Sequence, residues 1–151
     1  MTRTVSLKRN VKPARPAYVL EEQVGFILRQ VWQRHAAIFA REIGANLTPT
    51  QWAALARLAE TGPCSQNQLG RLTAMDVATI KGVIDRLTAR GLTETSADPV
   101  DGRRLKVSLT RAGQQLAEKL APNALVISRE TLAPLDARER ETLIGLLSKL
   151  R

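Results

Sequence analysis

The sequence predicts a mainly α-helical protein with one small β-hairpin, and three observations support this class. Apolar residues recur at helical spacing through most of the chain. Capping residues and glycines stand where these segments begin and end. Between residues 92 and 109, two short segments of strand character enclose a charged, turn-rich loop. With 151 residues and 44% apolar side chains, the chain is long enough to bury a real core.

The first two predicted helices are long and clearly delimited. Apolar residues at helical spacing predict a helix from Leu20 to about Ile43. The next helix begins where Thr48 precedes a proline, and Gln51, three residues later, completes a capping box. A Gly-Pro pair at Gly62 is the predicted end of this helix.

Two shorter helices follow, joined by about three or four residues. Ser65 is the predicted cap of the first, and Asp76 caps a strongly amphipathic second helix that runs to Arg90 and ends at Gly91. This pair has the outline of a helix-turn-helix, although a plain helical hairpin gives the same pattern.

A hairpin directly behind this pair decides between the two interpretations. The segments "LTETS" (92–96) and "LKVSL" (105–109) are predicted strands, with 97–104 as the loop between them. A helix-turn-helix followed by such a hairpin is a winged helix, which we assign to residues 47–110.

Two further helices complete the chain. Thr110 is the predicted cap of the first, and Pro122 is expected to kink or divide it because proline removes a helical hydrogen bond. The last helix begins at Asp136, where Glu139 completes a capping pattern. This helix carries an apolar stripe that has few partners inside one small subunit: Leu143, Leu146, Leu147 and Leu150.

The charge of the chain favours a polyanionic partner, either nucleic acid or an anionic membrane surface. The net charge is +9 and the pI is about 10.8. Residues 1–18 contain five basic side chains, no acidic one and two prolines, so we predict a flexible basic arm there.

Residue usage argues against an enzyme, a metal site or a membrane protein. One histidine and one cysteine without clustered carboxylates predict no catalytic, metal or cofactor site. No segment approaches the roughly 18 apolar residues that a membrane span needs, and the N-terminus lacks a signal-peptide pattern. The single Cys64 suits a reducing compartment, so we expect a cytoplasmic protein.

The chain resembles the MarR family of bacterial transcriptional regulators over about residues 20–151. The stretches "VIDRLTARGL" and "DPVDGRRLKVSLTRAG" carry the resemblance. Within the second, the matching pattern is an Asp and an Arg at the hairpin tip, followed by Leu-Thr-x-x-Gly: Asp101, Arg103, Leu109, Thr110 and Gly113. The resemblance implies a single domain over 19–151, in which 19–46 and 111–151 form the dimerisation helices.

The resemblance also implies partners. A homodimer would bury the stripe from Leu143 to Leu150 between its subunits and place two winged units on one pseudo-palindromic DNA operator. A pocket between the two parts would bind a phenolic or aromatic-acid effector that releases the DNA. The stretches "QVGFILRQVWQRH" and "QNQLGRLTAMDVATIKGVIDRL" are similar to members that control aromatic-acid catabolism, including nicotinate breakdown.

The candidate DNA contacts of the helix-turn-helix are its outward polar side chains. Thr79 and Lys81 are expected to reach base edges, and Arg86 to contact phosphate. Gly82 stands where many family members carry a larger polar residue, which puts one base contact in doubt. A solvated helix face is the alternative interpretation. The start of the preceding helix adds a phosphate-binding set: Ser65, Gln66 and Asn67.

At the hairpin tip, Arg103 is predicted to enter a minor groove. Asp101 either holds that arginine through an ion pair or only forms the turn. Arg104 and Lys106 are expected to make non-specific phosphate contacts. The alternative for Arg103 is a solvated turn residue.

The candidate effector residues are His35 and Phe39 on the first helix and Trp52 on the second. A titratable ring among apolar neighbours suits an acidic ligand, and an indole can stack on an aromatic one. Core packing remains the alternative for these side chains. Trp32 and Met75 are predicted to be packing residues only.

The predicted function is therefore a ligand-responsive, sequence-specific DNA-binding repressor. One alternative is a nucleoid-type protein that binds DNA without sequence preference or effector. The other is a redox-responsive regulator that uses Cys64, although this residue is better interpreted as a small buried side chain.

Overall fold

Six α-helices and one two-stranded sheet make up residues 17–151, the part of the chain that this computed structural model describes. Most of the predicted basic arm lies outside these residues. A short 3-10 turn at Leu20–Glu22 leads into the regular elements, which are α1 (Val24–Glu42), α2 (Pro49–Thr61), α3 (Gln66–Leu72), α4 (Val77–Ala89), β1 (Thr93–Ala97), β2 (Leu105–Leu109), α5 (Arg111–Thr131) and α6 (Ala137–Ser148).

Helices α2 to α6 all begin at the side-chain caps that the sequence predicts. Each cap oxygen accepts a hydrogen bond from the backbone N–H three residues later, at 2.7–3.2 Å. The caps are Thr48, Ser65, Asp76, Thr110 and Asp136. Since one such cap contributes about 0.5–2 kcal/mol, local sequence determines where these five helices start.

The hydrophobic core lies mainly in the winged half, between the inner faces of α2, α3 and α4. Its centre is fully buried and aliphatic: Leu55, Leu69, Ile80 and Leu87. Residues from the second half of α1 and from α5 close the core on the other side, including Ile38, Phe39, Leu120 and Ile127. The few aromatic residues of the chain thus leave most of the packing to Leu, Ile and Val.

The hairpin is tied to the helix-turn-helix by backbone hydrogen bonds. Strands β1 and β2 pair antiparallel, with Thr93 opposite Leu109. Before α3 begins, Cys64 forms an additional backbone bridge with Val107 of β2, with N–O distances of 3.1 and 2.8 Å. The wing is therefore held in a defined position beside α3.

A single residue, Thr110, joins β2 to α5. Its hydroxyl caps α5 and donates to the carbonyl oxygen of Gly91 at 2.6 Å, and its N–H donates to Leu92 at 3.1 Å. A Cβ at Gly113 would overlap the carbonyl oxygen of Leu92. In the Leu-Thr-x-x-Gly pattern, the threonine thus caps α5, and the glycine allows α5 to approach the chain closely where α4 ends.

The prediction for the first helix needs correction, and for Pro122 one of the two expected outcomes is excluded. The first helix does not run from its predicted start, because Gln23 is extended and separates the 3-10 turn from α1. Pro122 does not divide α5, which is one helix of 21 residues. Pro122 is exposed, and buried side chains on both sides of it, Leu120 and Ile127, hold the helix together against the core.

Helix α6 leaves its apolar stripe uncovered in this single chain. Leu147 is 39% exposed, and Leu146 and Leu150 are more exposed still. Among the described residues, none of those in α6 is buried. The stripe is therefore available to a second subunit.

Candidate nucleic-acid interface and ligand cavity

Helix α4 has the two faces that a DNA-recognition helix requires. One face is buried against the core, through Ile80, Val83, Ile84 and Leu87. On the opposite face Thr79, Lys81 and Arg86 are exposed, as predicted. The Lys81 ammonium lies 2.7 Å from the Asp85 carboxylate one turn later. This i,i+4 pair directs the lysine along the helix surface.

The side chain of Arg86 lies beside Gly82 on the exposed face of α4. A Cβ built on Gly82 would lie 3.5 Å from Nη1 of Arg86. The guanidinium of Arg86 therefore extends back over Gly82, toward the N-terminal end of α4. That end enters the major groove in helix-turn-helix proteins. The sequence alone assigned Arg86 to phosphate and did not reveal this orientation.

The start of α3 presents small polar groups beside α4. Ser65 uses its hydroxyl oxygen as the cap, accepting from the N–H of Gln68 at 3.2 Å. Gln66 and Asn67 form the first turn, where backbone N–H groups have no intrahelical acceptor. Asn67 is exposed, and Gln66 is half-buried.

At the wing tip, the structure decides between the two roles that the sequence left open for Asp101. Asp101 forms its ion pair with Arg104, at 3.3 Å, and not with Arg103. Toward Arg103 it only accepts the backbone N–H, at 3.2 Å, so Asp101 acts as a turn former there. Among residues 17–151, the exposed Arg103 has no carboxylate partner, and its guanidinium can extend from the tip.

A second carboxylate organises the base of the wing loop. Asp98 accepts the backbone N–H of Val100 at 2.8 Å and lies 3.2 Å from the ammonium of Lys106. The hydrogen bond from Val100, and then the one from Lys106, hold the pKa of Asp98 below its usual value. Asp98 is therefore ionised at neutral pH, and its ion pair holds the Lys106 ammonium at the base of the wing loop.

The three predicted effector residues meet at one cavity of about 260 Å³ between α1, α2 and α5. His35, Phe39 and Trp52 all line it. The other lining residues are Trp32, Pro49, Ala124, Ile127 and Ser128. The cavity is thus mostly apolar and aromatic, with one titratable ring.

The hydrogen bonds of His35 determine which ring nitrogen faces a ligand. Nδ1 lies 2.9 Å from the hydroxyl oxygen of Thr131. That hydroxyl donates to the carbonyl oxygen of Ile127 at 2.8 Å, so it accepts the proton of Nδ1. Nε2 is therefore the atom that remains for a ligand in the cavity.

Trp32 is not the packing residue that the sequence suggested. It is 54% exposed, and its ring centroid lies 5.5 Å from that of His35. The sequence contained a signal for this proximity. Trp32 and His35 are three residues apart on one helix, which places both rings on the same face. Met75, in contrast, does pack against the core as predicted.

Cys64 is a small buried residue, as the sequence predicts. Its exposure is 4%, and burial raises the pKa of its thiol. Burial and the raised thiol pKa both argue against the redox alternative.

Within residues 17–151, no group of three His, Cys, Asp or Glu side chains could hold a metal ion. In the same part of the chain, no helix is both long and apolar enough to cross a membrane.

A capped helix-turn-helix with an exposed basic recognition face, followed by a basic hairpin, defines a winged-helix DNA-binding transcriptional regulator. The chain belongs to the MarR family, whose sequence pattern matches residues 45–104. It is 42% identical over 134 residues to the HTH-type transcriptional repressor NicR of Pseudomonas putida, covering 88% of this chain and 85% of that repressor.

Solved structures are similar over nearly the same length. A probable transcriptional regulator of Pseudomonas aeruginosa is 63% identical, with a TM-score of 0.86, over 88% of this chain and 100% of that one. BpsR of Bordetella bronchiseptica, whose DNA binding is regulated by 6-hydroxynicotinic acid, is 41% identical, with a TM-score of 0.84, over 89% of this chain and 96% of that one. These similarities confirm the predicted fold class and the predicted family.

Proposed function

We propose that this protein is a cytoplasmic, homodimeric repressor that a hydroxylated aromatic acid of the nicotinate type releases from a pseudo-palindromic operator, and that it has no enzymatic activity. The observation that carries the proposal is the cavity of His35, Trp32 and Trp52 between the long helices and the winged unit. The similarity to NicR and BpsR supports the choice of effector class.

The cavity matches a single-ring acid in size and chemistry. Ligand sites commonly measure about 300–1,000 Å³, and this one lies just below that range. Trp32, Trp52 and Phe39 offer aromatic faces for stacking. Nε2 of His35 would form a hydrogen bond with a polar substituent of the acid in a partly dry site.

On the DNA side, the proposal assigns base contacts to Thr79, Lys81 and Arg86 in a major groove. Arg103 enters the adjacent minor groove, because it is the wing cation without a carboxylate partner within residues 17–151. The remaining residues contact phosphate: Ser65, Gln66, Asn67, Arg104 and Lys106.

The effector acts through the spacing of the two recognition helices. A symmetric dimer reads two half-sites about one helical turn apart. A ligand weakens DNA binding only if it prefers a dimer with a different spacing. The cavity lies between α1, α2 and α5, where a small displacement alters the angle between the winged unit and the long helices. By linkage, operator DNA weakens effector binding by the same factor.

The test uses 6-hydroxynicotinic acid as the probe. The chain has two tryptophans and both line the cavity, so their fluorescence reports binding directly. The operator is obtained by selecting random-sequence DNA with the full-length protein, and its affinity is measured with and without the acid. We expect quenching and release for the wild type. His35→Ala should keep its operator affinity and lose most of the release.

Gln33→Ala is the matched control, since Gln33 lies on the same helix and does not line the cavity. It should respond as the wild type does. If His35→Ala and Trp52→Ala also respond as the wild type does, the effector binds elsewhere and the proposal is wrong. A failure to enrich any sequence in the selection would favour the nucleoid-type alternative.

A further inference from the structure

The loop between α1 and α2 has an uncommon backbone. Three consecutive residues of this loop, Gly44, Ala45 and Asn46, have positive φ angles, of 70°, 54° and 50°. For a residue with a Cβ, this conformation costs roughly 1–2 kcal/mol. Asparagine adopts this conformation more readily than alanine, so the cost falls mainly on Ala45, and contacts from outside the loop can offset it.

Arg90 supplies such a contact from the recognition helix. Its Nη2 donates to the carbonyl oxygen of Ala45 at 2.7 Å, and its Nη1 donates to that of Asn46 at 3.2 Å. The two carbonyls belong to consecutive residues, and the planar guanidinium fork matches such a pair. A lysine ammonium is a point charge on a flexible stem and lacks this fork geometry.

The position of Arg90 relative to α4 is itself fixed. Arg90 is the C-cap of α4, and the next residue, Gly91, has a φ of 69°. The N–H of Gly91 donates to Thr88 at 2.9 Å, and that of Leu92 donates to Leu87 at 3.0 Å. These two bonds form a Schellman motif, so the end of the helix cannot turn freely.

The loop is held equally firmly on its other side. At its start, the carbonyl oxygen of Glu42 accepts from the side chain of Asn123 in α5, at 2.8 Å. At its end, Leu47 is buried, and α2 follows within two residues. Two residues of the first turn of α2, Pro49 and Trp52, line the ligand cavity. The loop therefore connects elements of the cavity to the recognition helix through one arginine.

We propose that Arg90 is a positioning residue that couples α1 and the cavity to the recognition helix. It holds the C-terminal end of α4 on the α1–α2 loop, so a displacement of the loop moves α4 with it. In a dimer, this contact also maintains the distance between the two recognition helices. The effect on ligand response depends on the function proposed above, whereas the effect on operator recognition does not require a ligand.

The test compares Arg90→Met with Arg57→Met in the full-length protein. Arg57 is a matched control because it lies in the same winged unit and pairs with Glu60 at 2.7 Å, away from the loop. Without any ligand, we expect Arg90→Met to lose operator affinity by about 5-fold or more beyond the control. Affinity for random DNA should be equal in the two variants. Arg90→Lys keeps the charge without the fork and should lie between Arg90→Met and the wild type.

The ligand response provides the second measurement. Quenching by 6-hydroxynicotinic acid should give a similar affinity for Arg90→Met and wild type, because Arg90 does not line the cavity. The ratio of operator affinities without and with the acid should fall toward one in Arg90→Met. A residue that only stabilises the fold would leave this ratio unchanged in the folded protein.

Three results would overturn the proposal. An operator-to-random affinity ratio equal to that of Arg57→Met would show that Arg90 does not position α4. Equal losses on operator and random DNA with a shallower salt dependence would make Arg90 a phosphate contact. An undiminished ligand response would exclude the coupling.

If the acid fails to bind the wild type, the proposed effector is wrong, and the ligand-free comparison still decides the role of Arg90. If Arg90→Met does not fold, Arg90→Lys decides both measurements.

Discussion

The winged half and the terminal helices use their apolar side chains in opposite ways. In the winged half, α2, α3 and α4 bury their inner faces in one core, with Leu69 fully buried. In α6 and the first half of α1, large apolar side chains remain exposed, including Val24, Ile27, Val31 and Leu147. Exposed apolar side chains grouped along a helix in this way mark an interaction site. The chain thus combines a winged half with a packed core and helices that expose an apolar assembly surface.

The boundary between the two regions passes through the middle of α1. Its second half contributes Ile38 and Phe39 to the core, while Val24 and Val31 in its first half are exposed. His35 lies between these halves and lines the cavity. The cavity therefore lies where the core ends and the assembly surface begins.

The largest effect is expected from a charge on the assembly surface. Leu147→Asp should convert a dimer at micromolar concentration into monomers, because a carboxylate cannot be buried there unpaired. Operator affinity should fall by about 100-fold or more, since the second half-site is no longer held on the same particle. Sedimentation and gel-shift titration measure the two effects. A wild type that sediments as a monomer would contradict the interpretation of this surface.

Shortening a buried side chain in the core of the winged half should lower the free energy of unfolding and leave dimerisation unchanged. Leu69→Ala is expected to lower the free energy of unfolding by about 2–5 kcal/mol, because the fully buried site cannot collapse completely. The matched control is Leu147→Ala, whose cost should shrink as the protein is diluted, because dimerisation stabilises the folded chain less at low concentration. Denaturant unfolding at two protein concentrations distinguishes them. The same concentration dependence for both variants would remove the distinction between the two regions.

The smallest expected effect is a change in DNA affinity that distinguishes base contacts from phosphate contacts within the winged half. Lys81→Ala should lower operator affinity more than random-DNA affinity, because a base contact contributes about 1–3 kcal/mol of discrimination. Arg104→Ala should weaken both alike and reduce the salt slope by about one unit. Fluorescence anisotropy at several salt concentrations measures both variants. Equal losses on the two DNAs for Lys81→Ala would reassign that lysine to the backbone.

Short-range rules account for most of what the sequence predicted correctly. The caps at Thr48, Ser65 and Asp136 depend on neighbours three residues away, so local patterns suffice to identify them. The hairpin follows from alternation and turn residues in the same way. The position of His35 beside Trp52 required the family resemblance, because the two belong to different helices.

The features that the sequence left open or missed depend on contacts between distant or competing groups. Pro122 lies in a helix that tertiary packing keeps continuous, which a local rule does not include. Asp101 had Arg103 and Arg104 within reach, and the turn geometry selected the second. The contact of Arg90 with Ala45 spans 45 residues and leaves no periodic signal in the sequence.

The one-residue connection at Thr110 has a consequence for how the gene can change in length. An inserted residue between β2 and α5 would separate the hydroxyl from the Gly91 carbonyl and move Gly113 from its place beside Leu92. An insertion at the junction should therefore prevent folding, whereas the bonds of the wing loop at 98–104 are local, and an insertion there should leave the fold intact. A library of single-codon insertions, scored for folded protein, would give two adjacent segments with opposite tolerance.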